Sequence, residues 1–305
     1  LYGVGRRSRS DVAICYISDS VDQNILNRMR KLIQSIDVDA LTMNIESLAE
    51  CMFTHKWINP FPKFKYSERP DTATAAILDG NIVIMVDNSP AVMIIPASIF
   101  DIIEEADDFN FSPMIGSYLR ITRFFFSIVT WILTPLWLLF VNNPDWVPEF
   151  MKFVLITDDI TVPVLLQLLI LELAVDGLKL AAVNTPTMLS TPLSIVAGIV
   201  VGEYAVSSGW FNPEALLYMA VVTVGTYGQT NFEMGYAFKF LRVLTLILTQ
   251  IFNLGGFIAG VVISVLMIAF NRTITGKSYI YPLIPWDGKM LKRKVLRVRL
   301  PHSYK

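Results

Sequence analysis

The chain has 305 residues, 53% of them hydrophobic, and a mean hydropathy of +0.51, above the roughly 45–50% apolar content of a soluble domain, so it reads as a membrane protein. A net charge of −1 gives no footprint for a nucleic acid partner. Two cysteines, Cys15 and Cys51, are too few for a disulfide framework and read as small core side chains in a reducing compartment.

Charged residues pepper the first 110 positions, while the long uncharged runs follow residue 120, so at least two domains are expected. The basic, Gly/Ser-rich stretch from Gly3 to Ser10 reads as a linker from an upstream region (1–10). Val12 to Ile17 fits a buried strand ahead of the Ser18-Asp19-Ser20 turn. From Val21 to Ile36, Ile25, Leu26, Met29, Leu32, Ile33 and Ile36 recur at helical spacing. A second helix is expected over Ile45 to Phe53, then a Pro-rich loop at Asn59-Pro60-Phe61-Pro62 and a helix over Pro70 to Leu78, where Pro70 suits a first turn. Asp79-Gly80 then leads into a hairpin of Ile82–Val86 and Val92–Ile95. These elements make residues 11–115 a soluble α/β domain.

The membrane domain is expected over 116–271. Phe124 to Val141 carries no charge and is long enough to span nearly 30 Å, with Arg120 and Arg123 snorkelling at its start and Pro135 kinking it. Further spans are expected over Met188–Ser207, Ala215–Phe232 and Val243–Asn271, the last with room to bend at Gly255-Gly256. Ile160 to Leu180 has an uncharged core too short to cross, followed by Glu172, Asp176 and Lys179 on one face, and reads as amphipathic or re-entrant. The tail, 272–305, is strongly basic and marks the cytoplasmic side, as do Arg120 and Arg123. Both ends inside require an even number of crossings. The fold class is therefore a multi-pass α-helical membrane bundle of about four spans plus one amphipathic or re-entrant helix, preceded by the soluble α/β domain.

Catalytic equipment is scarce. His55 and His302 are the two histidines, and no zinc spacing, phosphate loop or nucleophile elbow occurs, so no enzyme, metal or cofactor is expected. The membrane acids are more informative, because a lone charge at depth costs roughly 2.5–3.5 kcal/mol. Glu172, Asp176 and Glu203 either line an ion path, as acidic rings that favour cations around an oligomer axis, or rest solvated at the headgroup level. Ser194, Gly198 and Gly202, and likewise Gly256 and Gly260, recur every four residues and permit close helix packing within or between subunits. The basic tail reads as a topology determinant near anionic lipid. No expected span contains Lys or Arg at depth, which counts against a dicarboxylate path.

The run from Phe61-Pro62 through Tyr66-Ser67-Glu68-Arg69-Pro70-Asp71, then Leu78-Asp79-Gly80, Val83 to Asp87 and Ser89-Pro90, resembles the A-subunit family of spore germinant receptors. Gly5-Arg6-Arg7, the Arg120 to Phe124 entry and Tyr281-Pro282-Leu283 are similar to its other landmarks. Asn88 stands where many members have glycine. The acidic Ile102 to Asp108 stretch and the Arg-rich end look closer to a sporulation paralogue within the family than to a nutrient-receptor subunit. The resemblance implies a multi-pass protein of the spore inner membrane that forms a ring-shaped homo-oligomer, a pentamer, and conducts ions during germination with other membrane proteins, the bilayer and monovalent cations as its partners. A non-conducting sensor or scaffold is the alternative. On the same resemblance Glu68, Arg69, Pro70 and Asp71 are structural, fixing the elbow beneath Pro70 or a subunit contact.

Overall fold

The structure, a computed structural model, describes residues 1–53, 59–159, 161–184 and 198–298. The chain divides into two compact units, Leu1–Ile121 with Leu266–Lys305, and Thr122–Val265.

The first unit is built on a five-stranded antiparallel sheet of order β1-β2-β4-β5-β3. Its strands are β1 (Tyr2–Val4), β2 (Ser10–Cys15), β3 (Lys65–Ser67), β4 (Ile82–Val86) and β5 (Val92–Ile95). Tyr2 pairs with Val12 and Val4 with Ser10, so the opening residues expected as a linker are an edge strand. The β4–β5 hairpin pairs Ile82 with Ile95 and Ile84 with Met93. Asn88, at its turn, has φ 59, a conformation that glycine or asparagine adopts at least cost. Gly80 (φ +85), ahead of β4, lies so close to the Ser20 carbonyl that a Cβ would stand 2.6 Å from its oxygen.

Helix α1 (Gln23–Gln34) is capped by Asp22, whose carboxylate accepts from Asn24 N–H, and buries Ile25, Leu26, Met29 and Ile33 against the sheet. Helix α2 (Ile45–Met52) adds Leu48 and Met52 to the same core. Helix α3 (Pro70–Leu78) starts with Pro70 in its first turn and packs Ala73 on Val83 and Ile94. A short helix α4 (Ile99–Ile103) carries a capping box between Ser98 and Asp101. Cys15 is half-buried, but Cys51 is exposed rather than a core side chain.

The described part of the basic tail, expected as a topology determinant near anionic lipid, packs within this unit. Tyr279, fully buried, packs edge-on against Phe61 and accepts at its carbonyl from Ile99 N–H. Lys63 Nζ donates to the Arg272 carbonyl at 2.9 Å, and burial lowers its ammonium pKa to about 8. Helix α9 (Gly288–Val295), N-capped by Asp287, ends the described tail.

The second unit holds most of α5 (Pro113–Asn142), α6 (Val164–Asn184), α7 (Pro213–Tyr227) and most of α8 (Phe232–Ala269). Two described helices, α5 and α8, are long and apolar enough to cross a membrane. The expected span Ala215–Phe232 is broken. Helix α7 stops at Tyr227 after 15 residues, about 22 Å of rise, and α8 restarts at Phe232 with Asn231 Oδ1 accepting from Met234 N–H. The first half of the expected span Met188–Ser207 falls outside the described residues. Its described end is a π-helical stretch, Gly198–Tyr204, followed by one α-turn, Ala205–Ser207.

Helix α8 is the main correction. The expected single span Val243–Asn271 breaks at Asn253, whose dihedrals (φ 52, ψ −128) are not helical. In a straight helix residues 248 and 256 would lie about 12 Å apart along the axis. Here a Cβ on Gly256 would meet the Leu248 carbonyl oxygen at 1.7 Å, and one on Gly260 would stand 2.9 Å from Thr245 Cα. The arms 232–252 and 254–269, about 31 and 24 Å long, therefore fold back on each other along a seam of small residues. Thr245, Thr249 and Ser264 on that seam are buried and return their hydroxyls to carbonyls four residues back. The Asn143 and Asn253 amides pair reciprocally at 2.6 and 2.9 Å, which brings the tip of the reversal beside the end of α5.

Candidate functional site

The helices of the second unit are aligned by contacts at two levels. At the Asn143 level, Trp137, Leu138, Leu168, Ala215, Met219 and Leu246 form an apolar core. Gln167 spans there from α6 to Asn212, donating to its side-chain oxygen at 2.7 Å and accepting from its N–H at 2.8 Å. At the opposite level, α7 approaches α5 so closely that a Cβ on Gly225 would stand 2.6 Å from Thr130 Cγ2. The charged residues lie at this second level, where Arg242 meets the Thr130 carbonyl.

Glu172 and Asp176, one turn apart on α6, face Lys239 and Arg242 on the first arm of α8. Glu172 Oε1 accepts from Arg242 Nε at 2.5 Å, and Lys239 Nζ stands 3.5 Å from Glu172 Oε2. Lys239 also binds the Asp176 carboxylate, and Arg242 donates through Nη1 to the Thr130 carbonyl of α5. Glu172 and Arg242 are 4% and 2% exposed. Lys179, the third charge of the α6 stripe, lies over the rings of Tyr227 and Tyr236 at 5.1 and 5.5 Å. The stripe expected on an amphipathic or re-entrant helix thus points toward the first arm of α8 and Tyr227 of α7. The premise that no span holds Lys or Arg at depth also falls, because Lys239 and Arg242 lie within α8.

A cavity of about 170 Å³ opens beside this cluster, lined among others by Glu172, Asp176, Lys179, Gln229, Tyr236 and Arg242. Among the described residues, Asp176 Oδ1 and Gln229 Oε1 are buried acceptors that find no donor. The site therefore suits hydrated or donor-bearing occupants. With Lys179 the site carries two acids and three cations, and displacing any one of them shifts that balance. Among the described residues no His/Cys/Asp/Glu cluster is arranged to hold a metal.

The remaining expected residues are dispersed. Glu203 is exposed in the π-helical stretch and has no ion pair among the described residues. Gly198 and Gly202 are exposed, with nothing within 4 Å of an added Cβ. Ser194, like His55 and His302, lies outside the described residues. Gly256 and Gly260 sit on the seam of α8. In the family motif, Arg69 grips Asp71 through Nε and Nη2 at 3.1 and 2.7 Å and reaches Asp107 with Nη1. This contact, with Thr72 N–H, holds the Asp71 carboxyl at about 2. Glu68 is exposed and unpaired among the described residues.

A second polar assembly, not anticipated from the sequence, lies in the first unit. Arg120, 2% exposed, donates to Glu104 at 2.6 Å, to buried Asp108 at 3.3 Å and to the Arg293 carbonyl at 3.1 Å. Lys294 of α9 pairs with Asp101 at 2.5 Å and Glu104 at 3.2 Å. Burial acts to raise the Asp101 pKa, but Lys294 and the Ser98 hydrogen bonds outweigh it and keep that carboxyl below its usual range. Arg297 donates to the carbonyls of Phe109 and Phe111. Arg120 therefore does not snorkel, and part of the tail's charge answers the acidic 101–108 stretch rather than lipid.

Comparison with known proteins follows the same lines. Residues 1–305 match the family model described as Bacillus/Clostridium GerA spore germination protein. The chain is 36% identical to stage V sporulation protein AF of Bacillus subtilis (strain 168), over 98% of its own length and 60% of that protein. It is 27% identical to spore germination protein GerLA of Bacillus cereus, over 97% of its length and again 60% of the relative. The chain thus spans about 60% of the curated relatives it matches. The crystal structure of the N-terminal domain of the A subunit of the Bacillus megaterium spore germinant receptor GerK3 aligns at 30% identity over 30% of this chain and 72% of that one, with a TM-score of 0.23.

Proposed function

The chain belongs to the GerA spore germination family, and from that premise we propose that it is a homo-oligomeric membrane channel for monovalent cations that acts during germination. Glu172 and Asp176 are its ion-path carboxylates, and Glu203 is a third. The observation that supports this reading is the Glu172–Asp176–Lys239–Arg242 cluster beside its cavity. Four ionisable groups among apolar helices are costly to retain and mark a pathway more often than a scaffold. In the paired arrangement each acid is neutralised by a cation, which fits a resting state. Conduction then requires Lys239 and Arg242 to withdraw and leave the acids facing the path. Relatives named as spore germination proteins support the germination role. We place the protein in the spore inner membrane as a pentamer with other germination membrane proteins, its first unit and basic tail on the cytoplasmic side, where positive residues are retained.

Ion flux through the purified protein reconstituted in liposomes tests this. Wild type is expected to pass monovalent cations over anions. Glu172→Ala/Asp176→Ala is expected to lose that selectivity, and Glu203→Ala to weaken it if it lies on the same path. Intact oligomers that pass no ions, with or without partner subunits, would overturn the channel reading.

A second reading, a non-conducting sensor or scaffold, is favoured by the Arg120 assembly. One buried guanidinium ties the start of α5 to the acidic stretch and to α9, an arrangement suited to passing a displacement of the first unit into a helix of membrane length.

A further inference from the structure

The first unit exposes an apolar loop where α8 ends. Residues 272–278 form a small turn closed by the Arg272–Ser278 bridge, and Tyr279 N–H donates to the Asn271 carbonyl, so the chain returns to the end of the helix it has just left. Tyr279 is buried. Leu283, four residues on, is at most about 14 Å away along an extended chain. Leu283, Ile284 and Trp286 are all exposed, Trp286 to 70%.

Helix α9 follows at once. Its inner face sends Lys294 to Asp101 and Glu104. Lys289 and Lys292, three residues apart and so on one face, are exposed and have no ion pair among the described residues. An exposed Leu-Ile-Pro-Trp tip joined to two unanswered lysines is poorly matched to water. It is well matched to a bilayer surface, where tryptophan favours the headgroup level and lysine favours anionic lipid.

We propose that the 283–286 loop and the Lys289/Lys292 face of α9 form an interfacial anchor that inserts into an anionic lipid headgroup layer. This rests on the reading that α8 enters the membrane, because that places the loop at the depth of the headgroups. The anchor would fix the tail, and with it the Arg120 assembly, against the bilayer surface.

Site-directed nitroxide labelling of the full chain tests it, in a Cys15→Ser/Cys51→Ser background reconstituted in nanodiscs with and without phosphatidylglycerol. A label at Trp286→Cys should collide severalfold more with oxygen than with a water-soluble nickel chelate, and adding phosphatidylglycerol should raise that ratio. Lys289→Glu/Lys292→Glu should abolish the response to the anionic lipid while the chain stays folded. A label at Met43→Cys, another exposed position, should favour the chelate, and one at Ile258→Cys in the second arm of α8 should favour oxygen. If 286 favours the chelate, or is shielded from both reagents by protein, while 258 favours oxygen, the anchor is refuted. If 258 also favours the chelate, it is the membrane reading of α8 that fails.

Discussion

Removing Glu172 should damage the second unit more than removing Arg242, and the geometry gives the order. Glu172 serves two cations, Arg242 at 2.5 Å and Lys239 at 3.5 Å, whereas Arg242 has no other carboxylate among the described residues and falls back on the neutral Thr130 carbonyl. In Glu172→Leu a buried guanidinium is left without a counter-ion, while in Arg242→Leu the carboxylate keeps Lys239. Orphaning one partner of a buried pair costs about 3–5 kcal/mol. At roughly 2–4 °C per kcal/mol for a unit of this size, Glu172→Leu should lower Tm by roughly 10 °C, and Arg242→Leu by about half as much. The double variant Glu172→Leu/Arg242→Leu should recover most of the loss, because it leaves Lys239 with Asp176 and no orphan charge. Thermal unfolding of the detergent-solubilised protein across this four-member cycle measures all three. A Glu172→Leu protein as stable as wild type, or an Arg242→Leu protein less stable than Glu172→Leu, would refute the assignment of the two acids and two cations.

The reversal in α8 predicts that two adjacent glycines behave oppositely. Gly256→Ala must displace the Leu248 backbone and should destabilise by about 3 kcal/mol or more, while Gly255→Ala meets nothing within 4 Å and should be neutral or mildly stabilising; thermal unfolding of the two single variants checks both. Arg120→Gln should loosen α9 from the acidic stretch, and limited trypsin digestion should then cut at Lys292 or Arg293 several times faster than in wild type. Lys63 carries an ammonium lowered to about 8 in the folded state from an ordinary 10.5. The folded form therefore binds fewer protons than the unfolded one between those values, so this residue's contribution to stability rises from pH 8 towards 10.5 and is flat below 8. Lys63→Met should remove that rise, measured as Tm against pH for the two proteins side by side.

The first unit was largely legible because its signals are local. The spacing of Ile25, Leu26, Met29 and Ile33 marks α1, Pro70 marks the start of α3, and the turn at Asp87–Pro90 marks the hairpin whose register pairs Ile82 with Ile95. Edge strand β1 was missed because three residues in a basic Gly/Ser stretch carry no periodicity and are ordered by pairing with β2. Helix α8 was misread for a different reason. Hydropathy reports that 243–271 is apolar, and it is apolar whether the chain runs straight or doubles back. The reversal depends on one asparagine with positive φ and on glycines that admit another backbone. Gly256 and Gly260 were visible as a packing stripe, but their partners, Leu248 and Thr245, lie in the same apolar run.

Charge shows the same limit more sharply. Glu172, Asp176 and Lys179 were visible as a stripe because they are close in sequence, yet the residues that decide what the stripe does, Lys239 and Arg242, lie 63 and 70 positions from Asp176 and Glu172. In the first unit, likewise, Lys294 answers Glu104 from 190 positions away. A net charge of −1 thus hides two separate ion-pair clusters, one in each unit. A partner or stimulus that removes one member of a pair in either cluster leaves an uncompensated ion in a poorly solvated place, and a few kcal/mol then favours rearrangement over the resting pairs. Buried pairs of this kind are stable when left alone and sensitive when disturbed, which fits the resting state proposed above.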